Sequence, residues 1–331
     1  MRKFLNRILV FAVPFSIIII FIIYTDVFKI VGFQDYYSIQ KVGLNREMIT
    51  TKTFNHFREK EKFNSFIFGS SRSQAYKCEN WESYLDSSAI PFHFDAAGEG
   101  IWGISKKIEY IDELGDSIKN ALIILDLESL VSTSLRKGHL FISMPCVSKS
   151  SKIDYYSSFI KASIDLKFLV AYMDYSVFAI HRDYMGHLIK PNKYDDLVDK
   201  INCDMWYGAD KQIDLDSLCY YNTLIKKGIF YKRRKERQLK HKISPLAIAQ
   251  LNSIKTIFYK HNTSYKIVIS PLYDQIPLEE EQVKTLEEVF GKENIYNFSG
   301  INQFTTPLYN FYETSHYRPH VANKIIDLIY K

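Results

Sequence analysis

The segment Ile8 to Tyr24, ILVFAVPFSIIIIFIIY, runs for 17 residues without a charge, and Arg2, Lys3 and Arg7 stand before it. That length reaches the lower edge of the roughly 17–25 residues needed to cross a bilayer core, and exceeds the roughly 7–15 of a cleavable signal peptide. No small-x-small cleavage site follows; Tyr24, Thr25, Asp26, Val27 and Phe28 come next. The run therefore reads as an uncleaved signal anchor. The positive-inside rule puts the amino terminus in the cytoplasm and the rest of the chain on the outer side of the cell membrane. The competing reading, a buried core helix, gives the triple-basic flank no role. Residues 1–29 are thus expected to form a transmembrane helix, and residues 30–331 an extracytoplasmic domain on the bilayer surface.

The remaining sequence alternates strand-like and helix-like patterns. Phe66 to Phe68 ends at Gly69 in SFIFGSSRSQ, which reads as a strand, a tight turn and a helix start. A second short strand is expected at Ile90 to Phe94. A third is expected at residues 121–128, ALIILDLE, a continuous apolar run of the kind buried on both faces of a parallel sheet, and a fourth at residues 265–271, YKIVISP. Helical spacing marks Ile101, Ile104, Ile108 and Ile111, residues 247–260, and residues 279–290 with their acidic first turn. This alternation predicts an α/β fold with a doubly wound, mostly parallel sheet.

Residues 129–245 break the pattern and read as a mostly helical insertion. They include the basic run YKRRKERQLKHK at 231–242, a solvated helix face or a contact for lipid headgroups. The formal charge of +6 over 331 residues is too mild for nucleic-acid binding to be the leading idea. Four widely spaced cysteines exclude a disulfide scaffold and lack the CxxC pairs of structural zinc; Cys203 and Cys219 are left as a bridge or as thiols.

Ligands of open parallel sheets bind beyond the carboxyl ends of the strands. Three segments qualify. In Gly69-Ser70-Ser71-Arg72 a turn can present a serine hydroxyl at a helix start, where unpaired backbone donors face a developing oxyanion. In Asp95-Ala96-Ala97-Gly98-Glu99-Gly100 a glycine N–H can add a donor. In Glu313-Thr314-Ser315-His316, ahead of the amphipathic stretch YRPHVANKIIDLIY, a carboxylate three residues before a histidine can lie beside it on one helical turn and orient the imidazole as a base. His320 competes with His316 for that role. Arg72 is balanced between pairing a carboxylate and holding an anionic substrate. Asp126 and Glu128 are expected to pair with basic side chains, and His139 is a minor candidate for a substrate contact.

The order of these segments resembles the SGNH, or GDSL-like, hydrolase superfamily over roughly residues 64–130 and 265–331. More narrowly, it is similar to the membrane-anchored envelope branch that includes the D-alanine transfer protein of teichoic acid synthesis and the acetylation proteins of alginate-type polysaccharides. The resemblance implies a three-layer, flavodoxin-like α/β fold. It places the nucleophile on Ser71, with Ser70 where the family usually has Asp, the base on His316 and the orienting acid on Glu313. The oxyanion donors fall on Ser71 and Gly100, with Arg72 beside them. The usual acid is Asp. Where simple members carry Gly-x-Asn this chain has Leu125-Asp126-Leu127-Glu128-Ser129, a difference that envelope members share.

What the resemblance implies is a serine acyl esterase or O-acyltransferase acting on an envelope polysaccharide, needing no metal or organic cofactor. Its partners would be the polysaccharide or an acyl donor, the lipid bilayer, and a multispanning membrane acyltransferase. The alternative is a non-catalytic scaffold of the same fold for polysaccharide or for that membrane partner.

Overall fold

The computed structural model describes residues 24–34, 36, 41–190, 209–233 and 242–331, with isolated positions nearer the amino terminus. Almost all of the apolar run 8–24 lies outside them, as do Cys203 and most of the basic run 231–242. Among the described residues no helix is long and apolar enough to cross a membrane.

In chain order the regular elements are α1 (Arg46–Glu61), β1 (Ser65–Gly69), α2 (Cys78–Glu82), β2 (Pro91–His93), α3 (Ile101–Glu113), β3 (Asn120–Leu125) and α4 (Leu127–Val131). The chain continues through α5 (Pro145–Ser148), α6 (Lys152–Ser163), α7 (Leu166–Phe178), α8 (Ala209–Lys226, broken at Asp216) and α9 (Pro245–His261). It ends with β4 (Ser264–Ile269), α10 (Glu280–Phe290), β5 (Ile295–Asn297), the short β6 (Phe311–Glu313) and β7 (His316–Tyr317), and α11 (Pro319–Tyr330).

Strands β1 to β5 form one parallel sheet in the order β2-β1-β3-β4-β5. Alternate residues of each strand point to opposite faces. Phe66 and Phe68 of β1, Ile123 of β3 and Ile267 of β4 enter one core, with α3, α9 and α10. Ile67, Leu122, Ile124 and Val268 enter a second core, with Tyr76, Trp81 and the apolar face of α11. The chain is therefore an α/β protein whose sheet is covered on both sides, as continuous apolar strands require. Phe54, Phe66, Phe92 and Phe94 are fully buried together in the first core, at about 1.5–3 kcal/mol for each such side chain.

The expected third strand is shorter than its apolar run. It stops at Leu125 because Asp126 caps α4, its side chain accepting from Ser129 N at 2.9 Å while Ser129 Oγ reaches back to Asp126 N at 2.8 Å. Several elements escaped the sequence reading, among them α1, β5 and the β6–β7 hairpin. Helix α1 lies in the stretch read as a connection; it has almost no amphipathic pattern because much of its first half, polar side chains included, is buried. Its signal was the cap, Asn45, which accepts from Met48 N at 3.0 Å. Strand β5 is only three residues long, and the β6–β7 hairpin replaces the helical turn expected at residues 313–316. Between β3 and β4 the described residues hold helices and loops only.

Candidate functional site

Ser71 sits beyond the carboxyl end of β1 because the chain turns there with almost no room. A side chain at Gly69 would place its Cβ 2.8 Å from Ser73 Cβ and 2.9 Å from the Ile124 carbonyl oxygen, so only glycine lets β1 pass β3 this closely. Ser70 then caps a 3₁₀ turn spanning Ser71–Ala75, its hydroxyl accepting from Arg72 N. Ser71 is the first residue of that turn and is partly exposed.

Across the chain, 245 residues away, His316 directs Nε2 at Ser71 Oγ at 2.8 Å. Its Nδ1 is hydrogen-bonded to Glu313 Oε1. The two residues are cross-strand partners flanking the turn Thr314–Ser315, so the hairpin brings them together where a helical turn was expected. A carboxylate can only accept; the ring proton therefore lies on Nδ1, leaving the Nε2 lone pair for the Ser71 hydroxyl. Partial burial works against a charge on Glu313, but the bonds from His316 and from Ser315 N, at 2.8 Å, outweigh it and hold the carboxyl below its usual range. The arrangement can take a proton from an alcohol and stabilise the resulting imidazolium, the requirement for nucleophilic catalysis by serine.

Several side chains hold the two halves of this site in register. Arg72 ties its own turn to two other segments: Nη1 meets Asp126 Oδ2 at 2.6 Å and Nη2 meets Glu128 Oε2 at 3.1 Å at the start of α4, and Nε donates to the Ser315 carbonyl at 3.3 Å. The first two are the pairings expected for Asp126 and Glu128. Arg72 is thus paired with two carboxylates. From the insertion, α8 braces the hairpin: Tyr220 Oη donates to Tyr312 O at 2.8 Å and Tyr221 Oη to Phe311 O at 3.0 Å. Asp210 pairs with Arg318 Nη2 at 2.8 Å and accepts from Tyr312 Oη. Helix α11 is tied to α2 through Trp81 Nε1 and Tyr330 Oη at 2.8 Å, and through Asn80 and Asn323 at 3.0 Å. Behind His316, Tyr317 is buried against Tyr76, and burial pushes its hydroxyl up to about 12.

The remaining sequence candidates have other neighbours. Gly100 is the residue before α3, and a Cβ there would come within 2.4 Å of Ser132 Cβ, so packing against Ser132 demands glycine. His320 bonds Asn310 Oδ1 at 2.9 Å in the first turn of α11, while Ser71 is served by His316. His139 packs on Phe28 and Phe159 and lines a cavity that Ser71 does not, and burial lowers its pKa. Cys219 is an exposed thiol. A second serine–histidine pair, Ser73 Oγ and His93 Nε2 at 2.9 Å, is fully buried under the turn. Beside it Asp95 is locked by Arg46 at 2.9 Å and Gln74 at 2.9 Å. Its burial opposes the charge, but Arg46 and His93 outweigh that and keep the carboxyl below its usual range. Neither Ser73 nor Arg46, Tyr220 or Tyr221 announces itself in the sequence, since each depends on partners brought together only by folding. No family model matches the chain, and no curated protein matches it.

Proposed function

We propose that this chain is a membrane-anchored serine acyl esterase or O-acyltransferase of the SGNH type, acting on a cell-envelope polysaccharide. The anchor is the run 8–24, which holds the α/β domain on the outer face of the membrane. The observation that carries the reading is the 2.8 Å contact from His316 Nε2 to Ser71 Oγ, backed by Glu313 on Nδ1. Support also comes from the parallel sheet, whose strand order is that of flavodoxin-like folds, with the serine just past a strand's carboxyl end.

In the proposed reaction Ser71 Oγ attacks an ester carbonyl as its proton passes to His316 Nε2, and Glu313 stabilises the imidazolium. Backbone N–H groups, with Ser71 and Gly100 the assigned donors, receive the oxyanion. Collapse of the tetrahedral intermediate releases the alcohol, which takes its proton from His316 and leaves an acyl-serine. Water, activated by the same imidazole, completes hydrolysis; a sugar hydroxyl in its place completes transfer. A multispanning membrane acyltransferase is the proposed partner for delivery of the acyl group.

A fluorophosphonate probe tests the reading. Labelling is expected at Ser71, absent in Ser71→Ala and slowed at least roughly 10³-fold in His316→Ala. A folded wild-type protein that stays unlabelled would reject the triad and leave the same fold as a scaffold for polysaccharide or for the membrane partner.

A further inference from the structure

A cavity of about 940 Å³ lies apart from the triad; none of Ser71, Glu313 or His316 lines it. It opens between the segment 135–142, the paired helices α6 and α7, and the residues just before Lys190. Its floor is apolar, with Phe28, Leu140, Ile142 and Phe168. Its rim holds three exposed lysines from three separate segments, Lys137, Lys161 and Lys190. Two carboxylates also line it. Asp165 caps α7, accepting from Phe168 N at 2.9 Å, and Asp154 lies in the first turn of α6, so both complement helix amino ends. The lysines belong to no ion pair among the described residues, and three lysines against two aspartates leave the lining with a small positive excess.

Two further features fix what such a cavity faces. Phe28, only four residues past Tyr24 at the end of the uncharged run 8–24, is stacked on Phe168 at 5.3 Å and packs against Phe159 at 5.9 Å. The chain therefore enters this domain at the cavity floor. The neighbouring flank of α6 and α7 exposes Ile153, Ile160, Leu166, Val170, Val177 and Phe178, an apolar face without a partner among the described residues, beside a cationic rim. Apolar side chains next to lysines are the composition of a surface that sits at the acyl–headgroup boundary.

We propose that this cavity binds a single membrane phospholipid with an anionic headgroup, its acyl chain on the Phe28–Phe168 floor and its phosphate among Lys137, Lys161 and Lys190. A free phosphate would leave the apolar floor without a partner, and a zwitterionic lipid would leave the rim charge uncompensated. The lipid site makes no use of Ser71 chemistry; it rests only on the run 8–24 bringing the domain to a membrane.

The test uses the full chain in neutral maltoside micelles with pyrene-labelled phosphatidylglycerol and phosphatidylcholine as probes. Saturable binding of phosphatidylglycerol is expected, roughly tenfold or more tighter than phosphatidylcholine. The combined Lys137→Glu, Lys161→Glu and Lys190→Glu variant should remove that preference, and Ser158→Trp, which fills the cavity from α6, should abolish binding of both lipids. Equal binding of the two lipids, an unchanged preference in the triple variant, or undiminished binding in a folded Ser158→Trp protein would overturn the proposal. So would displacement of the lipid by millimolar inorganic phosphate. If Ser158→Trp fails to fold, the triple variant decides alone, because its three side chains are exposed. Fluorophosphonate labelling of Ser71 in the same samples separates failure of the lipid site from failure of the triad.

Discussion

Two serine–histidine pairs lie within one turn of each other, at nearly the same distance, and they differ in everything that matters for chemistry. Ser71 and His316 are 2.8 Å apart and partly open to solvent, with a carboxylate behind the ring. Ser73 and His93 are 2.9 Å apart and wholly buried. The Ser73 hydroxyl has a single proton and donates it to the Ser70 carbonyl at 2.7 Å, so toward His93 it can only accept. His93 therefore donates through Nε2 and has no lone pair there to act as a base. A short distance between an alcohol and an imidazole is not sufficient; the direction of the proton and access for a substrate decide whether the pair reacts or braces.

That contrast can be broken in a graded way. The largest effect after loss of Ser71 or His316 themselves should come from Glu313→Gln. An amide can donate to Nδ1 and so favours the wrong tautomer, and turnover of a p-nitrophenyl acetate-type reporter should fall roughly 10²- to 10⁴-fold. Because the folded Glu313 carboxyl titrates below its ordinary value, its contribution to stability is fully present above the unfolded-state pKa of about 4.3 and is lost as pH falls through the lower folded value. Thermal melts of wild type and Glu313→Gln should therefore differ at pH 7 and converge in acid; a gap that widens in acid would refute the assignment.

Arg72→Met comes next. It removes the partner of the nearly buried Asp126 and the tie to the Ser315 carbonyl, and denaturant unfolding should show a loss of about 3 kcal/mol. Ser73→Ala should cost about 1–3 kcal/mol by removing the acceptor that Ser73 Oγ offers the buried His93, while Ser71 still labels with fluorophosphonate. Loss of labelling there would mean that the buried pair, too, serves the reaction. The smallest effect is expected for Glu128→Gln. Its carboxylate is 81% exposed, so the second arm of the Arg72 fork should change stability by no more than about 0.5 kcal/mol.

Much of the sheet was legible in the sequence because its strands are buried on both faces and so must be apolar throughout: SFIFG and NALIIL cannot be anything exposed. The turn at Gly69 was legible for a related reason, since a glycine after such a strand marks a close backbone approach. Helix α1 was not, because burial of Glu47, Thr50 and Thr51 by partners distant in sequence erases the polar–apolar periodicity. The acid-x-x-His spacing drew attention to Glu313 and His316, yet the expected helical turn was wrong. A three-residue separation also matches two strands joined by a two-residue turn, and only the pairing of Phe311 with Tyr317 selects the hairpin.

The sequence by itself determined which stretches must leave water and which side chains could do chemistry, because hydrophobicity, glycine and the titratable groups are local properties. Only the tertiary structure decided which histidine meets which serine and in which direction the proton points, and which arginine is bound to a carboxylate. Those relations depend on contacts such as Arg72 with Ser315 and Tyr221 with Phe311, 243 and 90 residues apart, whose geometry exists only once both cores have closed around the sheet.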